Sequence, residues 1–132
     1  MRRCEMELQR DQEVVESFNY GLPPKDQVVK QKLLINFSPL EAMDPGYPAE
    51  NSIMGVRIEF VLPFEEFIIG GVLSQVIHVI GRQVKQQNDL TEAEANEMIR
   101  PILRLIERMV YEITEIALDK PGVKINFSSN TI

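Results

Sequence analysis

Six even-numbered positions in succession, Met54, Val56, Ile58, Phe60, Leu62 and Phe64, are apolar, while Arg57 and Glu59 fall between them. In an extended chain successive side chains point to opposite faces, so residues 53–63 are expected to form a strand with one buried face, ended by Pro63. An earlier stretch, 28–38, has the same period. Val29, Leu33, Ile35 and Phe37 share one parity, broken only at Gln31, against Lys30, Lys32 and Asn36. Residues 12–20 read as a further strand, stopped by Gly21-Leu22-Pro23-Pro24, and 39–52 as a surface loop around Asp44-Pro45-Gly46-Tyr47-Pro48. A turn over Pro63 to Glu66 leads into a fourth strand, 66–80. Its pattern differs: Phe67, Ile69, Leu73, Ile77 and Val79 occupy one face, and Ile68, Val72, Val76 and Ile80 the other. Both faces are apolar, so both need cover. The pair Gly70-Gly71 in its middle predicts a bulge or a close approach of another backbone.

Beyond residue 90 the period changes to three and four. Thr91 followed by Glu94 fits a capping box, which starts a helix at Glu92. Pro101 is expected to kink that helix or begin a new one, since it lacks an amide hydrogen. The main helix is expected over 102–118, with Ile102, Leu105, Ile106, Met109, Val110, Ile113, Ile116 and Ala117 as its apolar stripe. Asp119-Lys120-Pro121-Gly122 stops it, and the alternation of Val123, Ile125 and Phe127 predicts a short terminal extended segment. Strands first and helices afterwards indicate an α+β domain: a four-stranded antiparallel sheet with helices packed on one face. A single domain over 1–132 is expected, with 1–5 read as an N-terminal extension and 128–132 as a flexible tail.

Composition narrows the function. The chain has 132 residues, 44% hydrophobic and 26% charged, which suits one folded domain. Its formal net charge of −6, with no basic stripe interleaved with aromatics, argues against nucleic acid as a partner. The lone Cys4 excludes an intramolecular disulfide and suits a reducing compartment. No leader pattern and no uncharged apolar helical window of about 18 residues is present, so a cytoplasmic protein without membrane insertion is expected.

Catalytic constellations are scarce. The only histidine, His78, lies inside the fourth strand with no Ser or Cys nucleophile in a recognisable motif beside it, so a structural role outweighs a catalytic one. One histidine and a terminal cysteine do not make a zinc site, and no cofactor motif is found. The carboxylates Glu92, Glu94, Glu97, Glu112 and Glu115 read as a solvated helix surface. The chain is therefore expected not to be an enzyme. What remains is apolar surface. Phe60, Phe64 and Phe67 gather near one strand-turn-strand junction, and Met98 and Met109 lie on the helix, so these five are the candidates for lining a peptide-binding groove, against ordinary core packing. Ile68, Val72, Val76 and Ile80 are the candidates for an oligomer interface. Exposing them would forfeit roughly 1.5–3 kcal/mol each, so a dimer or tetramer is expected.

Four strands, the run Arg100-Pro101-Ile102-Leu103-Arg104, and the ending Lys120-Pro121-Gly122-Val123-Lys124-Ile125-Asn126-Phe127 resemble the fold of the export chaperone SecB. A closer resemblance is to a SecB-like bacterial family catalogued as domain of unknown function 1149. It is carried by Phe67-Ile68-Ile69-Gly70-Gly71, Ser74-Gln75-Val76-Ile77-His78, Gly81-Arg82, Arg100-Pro101 and the run from Tyr111 to Asp119. The resemblance covers about residues 6 to 127. It implies a homo-oligomer and a chaperone-type binder of non-native or extended polypeptides. The alternative is a structural or regulatory homo-oligomer with a dedicated protein partner. SecB chaperones commonly end in a basic, metal-binding tail that docks the translocase. Here the end is Ser128-Ser129-Asn130-Thr131-Ile132, which has no metal ligand.

Overall fold

A computed structural model describes residues 6–127 of the chain; Cys4, the extension 1–5 and the tail 128–132 lie outside the described residues. Five strands come first: β1 (Glu7–Arg10), β2 (Val14–Gly21), β3 (Lys32–Leu40), β4 (Ser52–Pro63) and β5 (Ile68–Ile80). A short 3₁₀ turn at Gln87–Asp89 and one long helix, α1 (Glu92–Leu118), follow. All strands join one antiparallel sheet built around β5. β4 runs along one side of β5, with β3 outside it, while β1 and β2 share the other side in succession.

The period-two pattern of β4 sets the core. Met54, Val56, Ile58, Phe60 and Leu62 are buried, and pair in unbroken register with β5 from Ser52↔Val79 to Pro63↔Ile68. The connection is a tight turn closed by the Phe64 amide donating to the Phe67 carbonyl at 2.8 Å. On β5 the same face carries Ile69, Leu73, Ile77 and Val79, each wholly buried. The helix closes this face with Met98, Ile99, Ile102, Leu103, Ile106 and Val110.

The sheet has one strand more than expected. β1 was hidden because its one core-facing apolar residue, Leu8, is followed at the next core position by Arg10, so no alternation of hydrophobicity registers. β3 begins at Lys32 rather than residue 28 and runs to Leu40, with Pro39 tolerated because β3 is an edge strand. The glycine pair marks a close approach, and the bulge lies next to it in the ladder, on β2 between Val15 and Ser17, opposite Leu73 and Val72. A Cβ at Gly71 would stand 2.5 Å from the Ser17 carbonyl oxygen.

The helix is one element of 27 residues that runs through Pro101. It starts as expected: Thr91 Oγ1 accepts the Glu94 amide, and Glu94 Oε1 accepts the Thr91 amide. Pro101 has no N–H for the Glu97 carbonyl one turn back, which normally breaks a helix. Arg10 supplies the missing donor from β1. Its Nη2 donates to the Glu97 carbonyl at 2.7 Å, and its Nη1 to the Met98 carbonyl at 2.7 Å and to Gln75 Oε1 at 3.1 Å. Burial pushes the Arg10 guanidinium below its ordinary pKa, while Glu97 and Glu13 oppose that shift. The buried Gln75 is satisfied at both ends, since its Nε2 donates to the Asp11 carbonyl.

Two other expectations need correction. Ile116 is 75% exposed and Ala117 is also outside, because Ile116 stands about 200° round the helix from the buried Thr114. The terminal segment 123–127 is extended but joins no sheet. Thr114 Oγ1 accepts the Val123 amide at 2.8 Å and Glu107 Oε2 accepts the Phe127 amide at 2.9 Å, so the segment lies on the helix and buries Phe127 in the core.

Candidate functional site

The sheet face turned away from α1 is the broad apolar surface of the molecule. Along β5 it presents Ile68, Val72, Val76 and Ile80, all partly exposed, separated by Gly70, Ser74 and His78. Large apolar residues thus recur every fourth position, about 13 Å apart along the strand. Neighbouring strands extend the surface with Ile53 and Val61 from β4, and with Leu34, Leu40 and Val14, which are 46%, 44% and 50% exposed. These four β5 residues are the ones expected at an oligomer interface, and they share one open face.

Two ion pairs lie across this face. Lys32 Nζ meets Glu59 Oε2 at 2.7 Å between β3 and β4. Arg57 Nη2 meets Glu16 Oε1 at 3.2 Å, with Ser74 also bonding Glu16. The β2 bulge at Glu16 allows that reach, because Arg57 and Val14 both lie opposite Ser74 on the two sides of β5. Hydrogen bonding from Arg57, and then from Ser74, holds Glu16 below the usual carboxylate range, and Lys32 does the same for Glu59. All four side chains are more than a third exposed, so solvent screens each pair and each adds little to stability. They do leave the open face without an unmatched charge in its middle.

One end of the face is partly covered. The loop after β3 brings Tyr47 over His78, with Tyr47 Oη 3.0 Å from His78 Nδ1 and the ring centroids 5.8 Å apart. His78 Nε2 stands 3.6 Å from Asp11 Oδ1, at the β1–β2 junction. The histidine thereby links loop, central strand and strand junction. Among the described residues no cluster of three His, Cys, Asp or Glu is placed to hold a metal ion.

The five residues expected to line a peptide groove do not form one. Phe60 and Met98 are 1% and 0% exposed, and Phe67 is 4% exposed. They pack in the core, and offer no surface to a ligand. Phe64 and Met109 are partly buried against it. Phe64 stacks on Phe67 at 4.6 Å, and Phe67 on Tyr20 at 5.3 Å, which makes a ladder of rings at one end of the sheet. The signal for Phe60 was present in the sequence: it shares the parity of Met54, Val56 and Ile58. Sequence reasoning missed Leu34, Leu40 and Val14, which join the open face only once β2 and β3 are paired in register.

A five-stranded antiparallel sheet, with one long helix on one face and the other face open, defines the SecB-like class. The chain belongs to the DUF1149 family, described as a protein of unknown function, whose pattern matches residues 6–127. A crystal structure of a protein of unknown function from Streptococcus agalactiae is similar at 29% identity and a TM-score of 0.84, over 94% of this chain and 100% of that one. The SecB-like chaperone Rv1957 of Mycobacterium tuberculosis, solved in complex with a ChAD peptide from the Rv1956 HigA1 antitoxin, shares the fold at 17% identity and a TM-score of 0.56, over 90% of this chain and 89% of that one. No curated protein matches the chain. No helix among the described residues is long and apolar enough to cross a membrane.

Proposed function

We propose that this chain is a SecB-like binder of non-native or extended polypeptide segments, acting in the cytoplasm as a homo-oligomer and not as an enzyme. The observation that carries the reading is the open face along β5, where Ile68, Val72, Val76 and Ile80 stay partly exposed with no helix over them. An extended segment laid along such a strand meets apolar side chains at regular spacing, and a sheet edge such as β3 offers backbone pairing as well. That a SecB-like neighbour was solved with a peptide supports the same reading.

A second reading has its own support. The ion pairs Lys32–Glu59 and Arg57–Glu16 are matched within one chain. Charges already neutralised cost less to bury, so the face also suits a self-complementary interface in a dimer or tetramer with a dedicated protein partner elsewhere. One experiment separates the two. Light scattering gives the mass of the native protein, and suppression of aggregation of an unrelated denatured protein gives its holding activity. Oligomers that suppress aggregation support the first reading. Oligomers without suppression favour the second, and a monomer without suppression sinks both.

A further inference from the structure

On the helix side, away from the open sheet face, two adjoining cavities of about 590 and 430 Å³ follow the line where segment 123–127 lies on α1. Leu103, Ile125 and Phe127 line the apolar part of the larger one. Arg100 and Arg104 from the helix and Lys124 from the terminal segment line it with positive charge. All three are exposed, and none has an ion-pair or hydrogen-bond partner for its side chain among the described residues. Two carboxylates also line the cavities: Glu107, whose Oε2 accepts the Phe127 amide, and, in the smaller one, Glu112, which faces Arg108 at 3.9 Å. Asn96, a turn before Arg100, lines the same cavity with a buried Oδ1 that has no donor. In a chain of net charge −6, unpaired cations gathered around one groove are a segregation of charge that folding itself does not require.

We propose that this groove binds an extended, acidic segment of another polypeptide, independently of what occupies the open sheet face. Arg100 and Arg104 are one helical turn apart, about 5.4–6 Å along the axis. Same-side residues of an extended chain recur at about 6.6 Å, so carboxylates at alternate positions of a strand meet the two guanidiniums in step. Guanidinium suits this role because its planar fork matches a carboxylate with two parallel hydrogen bonds. Lys124 faces the segment from the opposite wall, and the apolar floor takes the residue between the acids. Nucleic acid fits less well, because the rest of the chain repels a phosphate backbone over the length such a contact needs.

The probe is the blocked peptide fluoresceinyl-Gly-Asp-Leu-Asp-Val-Gly-amide, labelled on its N-terminal nitrogen, with its Asn-for-Asp counterpart, followed by anisotropy at low salt. The acidic peptide is expected to bind the full-length protein at least tenfold more tightly than its neutral counterpart. The double variant R100Q/R104Q is expected to lose at least tenfold of that affinity and K124Q about threefold, while K30Q, which removes a charge far from the groove, changes it by less than twofold. Thermal unfolding verifies that each variant is folded, as expected for exposed positions. Equal affinity for both peptides overturns the proposal, as does full affinity in folded R100Q/R104Q. Tighter binding of a single-stranded oligonucleotide of equal charge would reassign the groove.

Discussion

Leu73 and Val72 are neighbours on β5, yet they belong to different solvents. Leu73 is wholly buried under α1, whereas Val72 faces the open side and stays partly exposed. The two faces of this sheet are similarly apolar along β5 and differ in what completes them. The covered face is closed by the chain's own helix, by the terminal segment, and by the Arg10 network. The open face is completed only by exposed ion pairs and by Tyr47 over His78. Hydrophobicity alone therefore does not tell core from surface in a central strand. Burial on the first face decides whether the chain folds, and the second face is the one proposed to meet other chains.

The largest expected effect comes from breaking that comparison at adjacent residues. Leu73→Asp puts an unpaired charge in the core, which costs several kcal/mol against a total stability of about 5–15 kcal/mol. No cooperative thermal transition should remain in its circular dichroism. Val72→Asp should keep its melting temperature within a few degrees while losing self-association in light scattering. If both variants unfold alike, the open face is covered in a way that the single chain does not reveal.

Next in size is the link that lets α1 cross Pro101. Arg10→Met removes the donor to the Glu97 carbonyl and leaves Gln75 Oε1 without its partner, which should cost about 1–3 kcal/mol. Pro101→Ala restores an amide able to serve Glu97 within the helix. The double variant should therefore lose less than the sum of the single losses, by at least about 0.5 kcal/mol. Additive losses in chemical denaturation would mean that Arg10 matters only for packing. Gly71→Ala belongs to the same range, about 1–3 kcal/mol, because a methyl group there presses on the β2 backbone at Ser17. Gly70→Ala should cost less, since its nearest obstacle, the Phe60 carbonyl oxygen, is 3.2 Å away.

These cases also show what could be read from the sequence. β3, β4, β5 and the helix start at Thr91 were legible because each is signalled locally, by period two or by a capping pair three residues apart. β1 and the unbroken helix were not, for a shared reason: the residue that spoils the alternation of β1, Arg10, is the residue that repairs the helix at Pro101, and the two are far apart in sequence. The open face was legible on β5 as a second apolar parity, but its breadth depends on the register of β2 and β3. Placing Phe60 in a groove went against the parity it shares with Met54, Val56 and Ile58, while Phe67 and Met98 are assigned to the core only by the helix that closes their face. The groove at Arg100 and Arg104 shows as a helical spacing of four, while its opposite wall at Lys124 appears only once the terminal segment docks on Thr114 and Glu107.

The smallest effect separates the faces by pH. Glu94 and Glu16 are both held below the usual carboxylate range, Glu94 chiefly by hydrogen bonding from Arg82 and then by the Thr91 amide, Glu16 chiefly by Arg57. They sit in different places. Glu94 is 15% exposed, and joins the end of β5 to the start of α1 through its contact with Arg82. Glu16 lies on the open face at 36% exposure. A carboxylate whose folded pKa is depressed adds stability that is complete above its ordinary value and is lost as pH falls through the lower folded value. Glu94→Gln should therefore cost about 1 kcal/mol at neutral pH, the scale of a helix cap, and flatten the loss of stability on acidification. Glu16→Gln should leave the acid limb of the isolated chain almost unchanged, because water screens its pair with Arg57. Burying the open face in an oligomer would remove that screening. Melting temperatures measured from pH 7 down to pH 3, at concentrations below and above self-association, should then show Glu16→Gln flattening the acid limb only in the associated protein. The same response at both concentrations would mean that no partner covers Glu16.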